Sequence, residues 1–256
     1  MSADFDISGA VAVVTGGNSG IGKAAVEALN AEGATALSWD LDGPGVHCDV
    51  TDADSVREAM AATVAEYGPP TIHVASAGTA RLAKIVDLTI EEWDFVYNVN
   101  IRGVFLTLQA AAREMTAAGL PGSIILIGSV NGSLADPAHS PYSTSKAAVA
   151  HLARCAAVEL GDEGIRVNAI APGPTATPMM GPLLSHDGYR EEIGGSTPLG
   201  RIGEPEDIAL AIVNVIKSPW ITGQVIAVDG GSQLVTPRGR DRAVRVTDER
   251  RARAGA

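Results

Sequence analysis

Tyr142 and Lys146 stand four residues apart in the stretch Tyr142-Ser-Thr-Ser-Lys146. On a helix, residues at i and i+4 share a face, with Cβ atoms about 5–6 Å apart. A free phenol titrates near pH ~10 and is a poor base at neutrality. A neighbouring ammonium favours the phenolate and lowers that value. The pair therefore predicts a proton donor and acceptor usable near neutral pH, which is what interconverting an alcohol and a carbonyl requires. The same spacing also occurs on solvated helix surfaces, so its meaning depends on the elements that hold it.

Those elements alternate between apolar strands and amphipathic helices. Ala10–Thr15 reads as a buried strand ending at glycines, and Ile21–Glu32 as a helix closed by Gly33. Thr35–Trp39 is a second strand. Thr51-Asp-Ala-Asp54 resembles a capping signal for a helix whose face carries Val56, Met60 and Val64. Ile72–Ser76 is a third strand, and Thr89-Ile-Glu-Glu92 is a capping box opening a helical stretch to about Ala118. Ser123–Gly128 (strand), Tyr142–Leu160 (helix), Ile165–Ala171 (strand), Pro205–Lys217 (helix) and Gln224–Val228 (strand) complete the series. This order predicts an α/β fold, a doubly wound parallel sheet of Rossmann type in three αβα layers. No linker divides residues 1–236, which read as a single domain, with residues 237–256 as an Arg-rich tail. Pro172–Gly203 is irregular and too long for a turn, as lids over sites are.

Composition bounds the function. The chain of 256 residues has a formal net charge of −11, which argues against a generic nucleic-acid or anionic-membrane binder. The charge is uneven, because seven arginines from Arg238 onward meet only Asp241, Asp248 and Glu249. A polyanion-binding tail and a solvated tail are both open, the second being the blander reading. Cys48 and Cys155 are too few for a disulfide framework, and no Cys/His cluster has zinc spacing, so no metal is expected. No apolar run reaches the ~18 residues of a membrane span, and the start lacks the order of a signal peptide. A cytoplasmic protein is expected.

Thr15-Gly-Gly-Asn-Ser-Gly-Ile-Gly22 follows the first strand and opens the first helix. Glycines permit the tight turn and let N–H groups of Gly16, Asn18, Ser19, Gly20 and Ile21 approach a pyrophosphate at the helix start. Asp40 ends the second strand, where an acid takes the adenosine ribose hydroxyls. Its carboxylate repels the 2′-phosphate of NADP, and no Arg or Lys stands in the loop before Gly20 or just after Asp40 to offset it. NAD is the expected cofactor. His47-Cys48-Asp49-Val50 ends the next strand, where Asp49 could meet the adenine edge or cap the following helix with Thr51.

In order and spacing, these motifs resemble the short-chain dehydrogenase/reductase family from about Gly9 to Gly231: the glycine turn, Asp40, Asp49, Asn100, Ser129, Tyr142 with Lys146, Pro172-Gly173, and Asp229-Gly230-Gly231. The resemblance implies that Ser129, thirteen residues before Tyr142, holds and polarises the substrate oxygen. It implies that Tyr142 exchanges the proton and that Lys146 holds the nicotinamide ribose hydroxyls. Asn100 matches an asparagine that breaks a helix and holds a water leading to Lys146. Pro172, Gly173, Thr175 and Thr177 match the segment meeting the nicotinamide carboxamide, and Val50, Ala77 and Gly78 are further expected cofactor-binding residues. Position 175 is commonly Ile or Val in such proteins and is Thr here. The sequence departs again at Ala75-Ser-Ala-Gly78, where the family has Asn-Asn-Ala-Gly, and at Gly128, where a serine is common.

By this resemblance the chain is expected to be an NAD-dependent oxidoreductase acting on a small secondary alcohol or ketone, and a homotetramer built on the long helices. The substrate pocket is expected between Val130–His139 and Met179–Leu199, the latter made apolar by Met179, Met180, Leu183, Leu184 and Tyr189. Core packing or an oligomer contact would equally explain those side chains. His139 and His186 near the mouth are expected to be surface residues. A 3-oxoacyl thioester reductase is the alternative within the family, although Asp40 counts against it. A non-catalytic nicotinamide-sensing regulator is the alternative of another class, and the intact Ser129, Tyr142 and Lys146 count against that.

Overall fold

The computed structural model describes residues 5–234, and the expected Arg-rich tail lies outside them. Seven parallel strands form one sheet: β1 (Val11–Thr15), β2 (Thr35–Asp40), β3 (Val46–His47), β4 (Ile72–Ala75), β5 (Gly122–Ile127), β6 (Ile165–Pro172) and β7 (Val225–Val228). Their order across the sheet is β3-β2-β1-β4-β5-β6-β7. The direction of winding reverses between β1 and β4, so the carboxyl ends of those strands open a crevice. β4 and β5 are buried along their whole length, as strands covered on both faces must be.

The helices are α1 (Gly20–Ala31), α2 (Ala53–Tyr67), α3 (Ile90–Tyr97), α4 (Val104–Ala118), α5 (Ser140–Leu160), α6 (Gly181–Leu184), α7 (Tyr189–Ser196) and α8 (Pro205–Lys217). They cover both faces and create two cores. One joins Trp39, Met60, Leu108 and Met115 with Val149 and Ala153, and the other joins Leu29, Ile72, Ile125 and Ile170 with Ile208 and Ile212. Trp39 is fully buried, and its indole N–H donates to Thr63 Oγ1 at 3.2 Å. His73, also fully buried, donates from Nδ1 to the Val13 carbonyl at 3.1 Å and meets Thr107 Oγ1 at 3.2 Å through Nε2. Burial pulls its pKa down to about 4, so the ring is neutral and serves the core.

The capping box at Thr89 forms as expected, with Glu92 N–H donating to Thr89 Oγ1 and Thr89 N–H to Glu92 Oε2. The helix beyond it is not continuous. Between α3 and α4 the chain widens into a π-helical segment, Asn98–Gly103, that holds Asn100. Such bulges are rare and gather at functional sites. Asp52, rather than Thr51, caps α2 by accepting from Asp54 N–H at 2.9 Å. The irregular stretch before Gly203 contains α6 and α7, short helices that periodicity does not reveal.

Candidate active site

The loop after β1 is shaped by backbone. Gly16 and Gly20 have φ of +66° and +49°, a region that side chains disfavour. A Cβ on Gly22 would stand 2.1 Å from the Gly16 carbonyl oxygen, and one on Gly17 would stand 2.8 Å from Ser38 Cα. The loop is thereby pressed onto β2 and onto the start of α1. Ser19, the N-cap of α1, makes no side-chain cap hydrogen bond. A helix start with small residues and uncapped N–H groups is a cradle for an anion, and pyrophosphate fits it.

Asp40 organises this end. Its Oδ2 accepts from Asn18 N–H at 3.0 Å and its Oδ1 from Leu41 N–H at 2.8 Å. Asn18 accepts from the Ser38 hydroxyl at 2.8 Å and donates to the Asp42 carbonyl at 2.5 Å. Asn18 therefore ties the glycine loop to the end of β2 and does not line the cavity, unlike the other residues expected to bind the cofactor. Asp49 Oδ1 accepts from both the N–H and the hydroxyl of Thr51 at 2.8 Å, closing the turn before α2 while also facing the cavity. Of the two roles left open by the sequence, the helix cap falls to Asp52, and Asp49 closes the preceding turn while facing the cavity.

That cavity, about 440 Å³, runs along the carboxyl ends of the strands from Asp40 past Ser19, Gly20, Val50, Ala77 and Gly78 to Tyr142, Lys146, Gly173 and Thr177. Its far wall is closed by contacts that sequence reasoning missed. Thr15 Oγ1 accepts from the N–H groups of both Ser76 and Ala77 at 3.1 Å, fixing the loop after β4. A threonine ending the first strand is the only sequence signal for this. Gly173 packs so closely on Asp229 that a Cβ would lie 2.7 Å from the Asp229 Cα. Thr175 turns its hydroxyl to the Gly173 carbonyl at 2.9 Å.

The four residues expected to be catalytic converge. Ser129 follows β5, and its Oγ accepts from Asn131 N–H at 3.1 Å. Tyr142 lies in the first turn of α5, and Lys146 one turn on, 4% exposed. Lys146 Nζ donates to the Ile127 carbonyl at 2.8 Å and lies 5.7 Å from the centre of the Tyr142 ring. Asn100 is fully buried in the π-helical segment. It accepts from Thr79 N–H at 2.9 Å and donates to the Thr79 carbonyl at 3.0 Å and to Ser145 Oγ at 2.9 Å. Ser145 in turn donates to the Tyr142 carbonyl at 2.7 Å. The bulge thus fastens the loop after β4 to the turn of α5 that carries Tyr142.

The electrostatics differ from the spacing argument. Burial pushes the Tyr142 phenol above its ordinary range, and the Ser129 hydrogen bond pulls the other way. Burial also pulls the Lys146 ammonium down to about 8. Desolvation disfavours the charged form of each, and Lys146 spends its cation on the Ile127 carbonyl rather than on the phenol.

A second cavity, about 530 Å³, lies on the other side of Tyr142 between Val130–His139 and the α6–α7 segment. Met179, Met180, Leu183 and Tyr189 line it, so these side chains are pocket walls. Leu184 and His186 do not, while Ser232, Gln233 and Leu234 close one end unforeseen. Tyr142, Gly173, Met179 and Met180 line both cavities. Among the described residues no cluster of His, Cys, Asp or Glu could hold a metal, and no helix is long and apolar enough to cross a membrane.

Residues 15–233 match the model of a family described as enoyl-(acyl carrier protein) reductase. A structure titled as a short-chain type dehydrogenase/reductase from Mycobacterium marinum superposes with a TM-score of 0.85 at 35% identity, covering 89% of this chain and 97% of that one. The chain belongs to the short-chain dehydrogenase/reductase family. It is an oxidoreductase with a nicotinamide-binding fold. Within the family it is 34% identical over 258 residues to a (3R)-3-hydroxyacyl-CoA dehydrogenase of Canis lupus familiaris, covering 90% of this chain and 99% of that protein. It is 38% identical over 256 residues to a D-threitol dehydrogenase of Mycolicibacterium smegmatis, covering 90% and 96%. A gluconate 5-dehydrogenase from Burkholderia cenocepacia, solved in complex with NADP and tartrate, has a TM-score of 0.85 at 30% identity, covering 91% and 98%.

Proposed function

We propose that this family member is an NAD-dependent enzyme interconverting a small secondary alcohol and its carbonyl. The observation that carries this reading is the position of Tyr142 at the junction of two cavities, with Ser129 and Lys146 beside it. A nicotinamide, when held by Lys146 and the Pro172–Thr177 segment, supplies the hydride acceptor or donor. The Tyr142 phenolate takes the proton of the substrate hydroxyl, or the phenol returns it to the carbonyl oxygen. The Ser129 hydroxyl donates to the same oxygen and polarises it. Lys146, released from the Ile127 carbonyl, would hold the ribose hydroxyls, and its ammonium would offset the effect of burial on the phenol. Asn100 positions this group through Thr79 and Ser145.

NAD rather than NADP is supported by Asp40, whose carboxylate stands at the adenosine end of the cavity. The only cation among the described residues lining that cavity is Lys146, at the opposite end. A 3-oxoacyl thioester reductase is the second reading, favoured by the likeness to a hydroxyacyl-CoA dehydrogenase. Large apolar side chains exposed on α4 and α5, Phe105 and Val158, support the homotetramer expected of a cytoplasmic family member.

Absorbance at 340 nm, followed with NAD and NADP over neutral alcohols and with acetoacetyl-CoA in reverse, separates these readings. Higher kcat/KM with NADP removes the Asp40 argument, and preferred turnover of the thioester selects the second reading. Tyr142→Phe lowers kcat by at least ~10²-fold and leaves NAD affinity within a factor of about 2, measured by tryptophan-quenching titration. Wild-type turnover in that variant defeats the assignment.

A further inference from the structure

The wall of the substrate cavity nearest its mouth is one-sided in its hydrogen bonding. Asp136 is the only charged side chain among the described residues that line the cavity. The Asn131 amide N–H₂ donates to Asp136 Oδ2 at 3.1 Å, which occupies one of its two donors and leaves Asn131 Oδ1, its second N–H and the other carboxylate oxygen facing solvent or ligand. His139, in edge contact with the Tyr142 ring at 6.5 Å, donates from Nδ1 to the Pro137 carbonyl at 2.8 Å. In the neutral ring that bond leaves Nε2 as an acceptor as well. The α6–α7 side is mainly aliphatic, made by Met179, Met180, Leu183 and Ile193, with the hydroxyls of Tyr189 and Ser196 beside them.

Building on the proposed alcohol chemistry at Tyr142, we infer that Asp136 selects substrates whose far end is uncharged or cationic and offers a hydrogen-bond donor, and that it rejects carboxylates. An alcohol held at Ser129 and Tyr142 extends its remaining atoms along the Asn131–Asp136–His139 wall. A hydroxyl, amide or ammonium there finds acceptors. A carboxylate finds one Asn131 N–H among several acceptors, and a like charge at Asp136. Asp136 is exposed, so water screens the repulsion, and roughly tenfold is the expected size between protein surface and bulk water.

The test is a matched pair of alcohols differing in charge alone, 3-hydroxybutanamide and 3-hydroxybutanoate, offered to the full chain with saturating NAD at pH 8. The amide is expected to have about tenfold the kcat/KM of the carboxylate. Asp136→Asn, which keeps the shape and a partner for Asn131, is expected to bring the ratio near unity, and Asp136→Lys to invert it. Calorimetric titration of each compound into NADH-saturated protein, where the alcohols cannot be oxidised, reads the same ratio without turnover. Binding that prefers the amide, without oxidation of either compound, would sink the proposed reaction and leave this selection standing. Equal use or equal binding of the two compounds overturns the selection, as does a preference unchanged in Asp136→Lys.

Discussion

The two cavities that meet at Tyr142 are similar in size but are made of different material. The groove on the β1–α1 side is defined by backbone. Gly16, Gly17, Gly22 and Gly173 sit where a Cβ would collide with main-chain atoms or force a disfavoured φ. The substrate cavity is defined by side chains on short helices. Gly181, which opens α6, has no atom within 4 Å of where its Cβ would go. Backbone shape tolerates no variation at those points, whereas a wall of methionines and leucines can be repacked. A family can therefore keep one cofactor-binding half and change substrates by changing the other.

Replacing one glycine in each half tests this contrast most severely. Both Gly22 and Gly181 lie in helices, where alanine is favoured over glycine by about 1 kcal/mol. Helix propensity alone predicts that both Ala variants gain stability. The Gly22 Cβ, however, would press on the Gly16 carbonyl at 2.1 Å, a backbone atom that cannot yield without moving the loop. Gly22→Ala is expected to abolish measurable NAD binding and to lower the melting temperature. Gly181→Ala is expected to leave both unchanged or slightly improved. Normal NAD affinity in Gly22→Ala would break the distinction between the halves.

The same distinction governs what can be read in the sequence. The Thr15–Gly22 turn, Asp40 at the end of β2 and the doubly wound alternation of strands and helices were legible because backbone constraints demand particular residue types at fixed spacing. Tyr142 and Lys146 were legible as a pair, but the direction of their titration was not. Which carbonyl Lys146 faces, and how deeply α5 is buried, are set by β5 and the loop before it, far away in the chain. The break in the long helix at Asn100 carried no periodic signal, because a π-helical bulge adds a residue without altering composition. The α6–α7 segment was opaque for the opposite reason. Its helices are four and eight residues long, too short to show a period, and their apolar residues would read alike as core, interface or pocket.

Beneath the cofactor-binding half, His73 offers a smaller effect that tests whether the core under both cavities is shared. Its folded pKa, about 4, lies below the ordinary value of 6.5. The unfolded chain then binds the extra proton first, so stability is complete above about pH 6.5 and is lost as pH falls toward 4. The loss amounts to about 3 kcal/mol. Urea melts between pH 7 and 4 are expected to show it, and His73→Gln is expected to be less stable at pH 7 but flatter below it. A slope in His73→Gln equal to that of the parent chain would assign acid sensitivity elsewhere.

Lys146 links the two halves through a titration of opposite consequence. Its ammonium is pulled down to about 8 in the free protein, and hydrogen bonds to ribose hydroxyls would raise it on loading. Binding then takes up a proton above pH 8, so NAD affinity is expected to fall by up to about tenfold per pH unit there. It is expected to stay level between pH 6 and 7.5. Lys146→Met is expected to bind more weakly with no such slope. A parent affinity independent of pH up to 10 would remove the ribose role and leave Lys146 as a buried partner of Ile127 alone.

The smallest expected effect separates a helix start used for folding from one used for binding. Thr89 caps α3 reciprocally with Glu92, and Thr89→Ala is expected to cost about 1 kcal/mol of stability with NAD affinity unchanged. Ser19 stands at the same position of α1 but makes no side-chain cap bond. Its hydroxyl therefore has little to lose on folding, and Ser19→Ala is expected to leave the unfolding free energy from urea melts within about 0.5 kcal/mol. If the Ser19 hydroxyl instead serves a phosphate at that helix start, NAD affinity falls several-fold in the same variant. Denaturation and NAD titration on the two variants then give opposite patterns. The same pattern in both would mean that α1, like α3, is capped for stability, and that the anion cradle is made by the glycine backbone without Ser19.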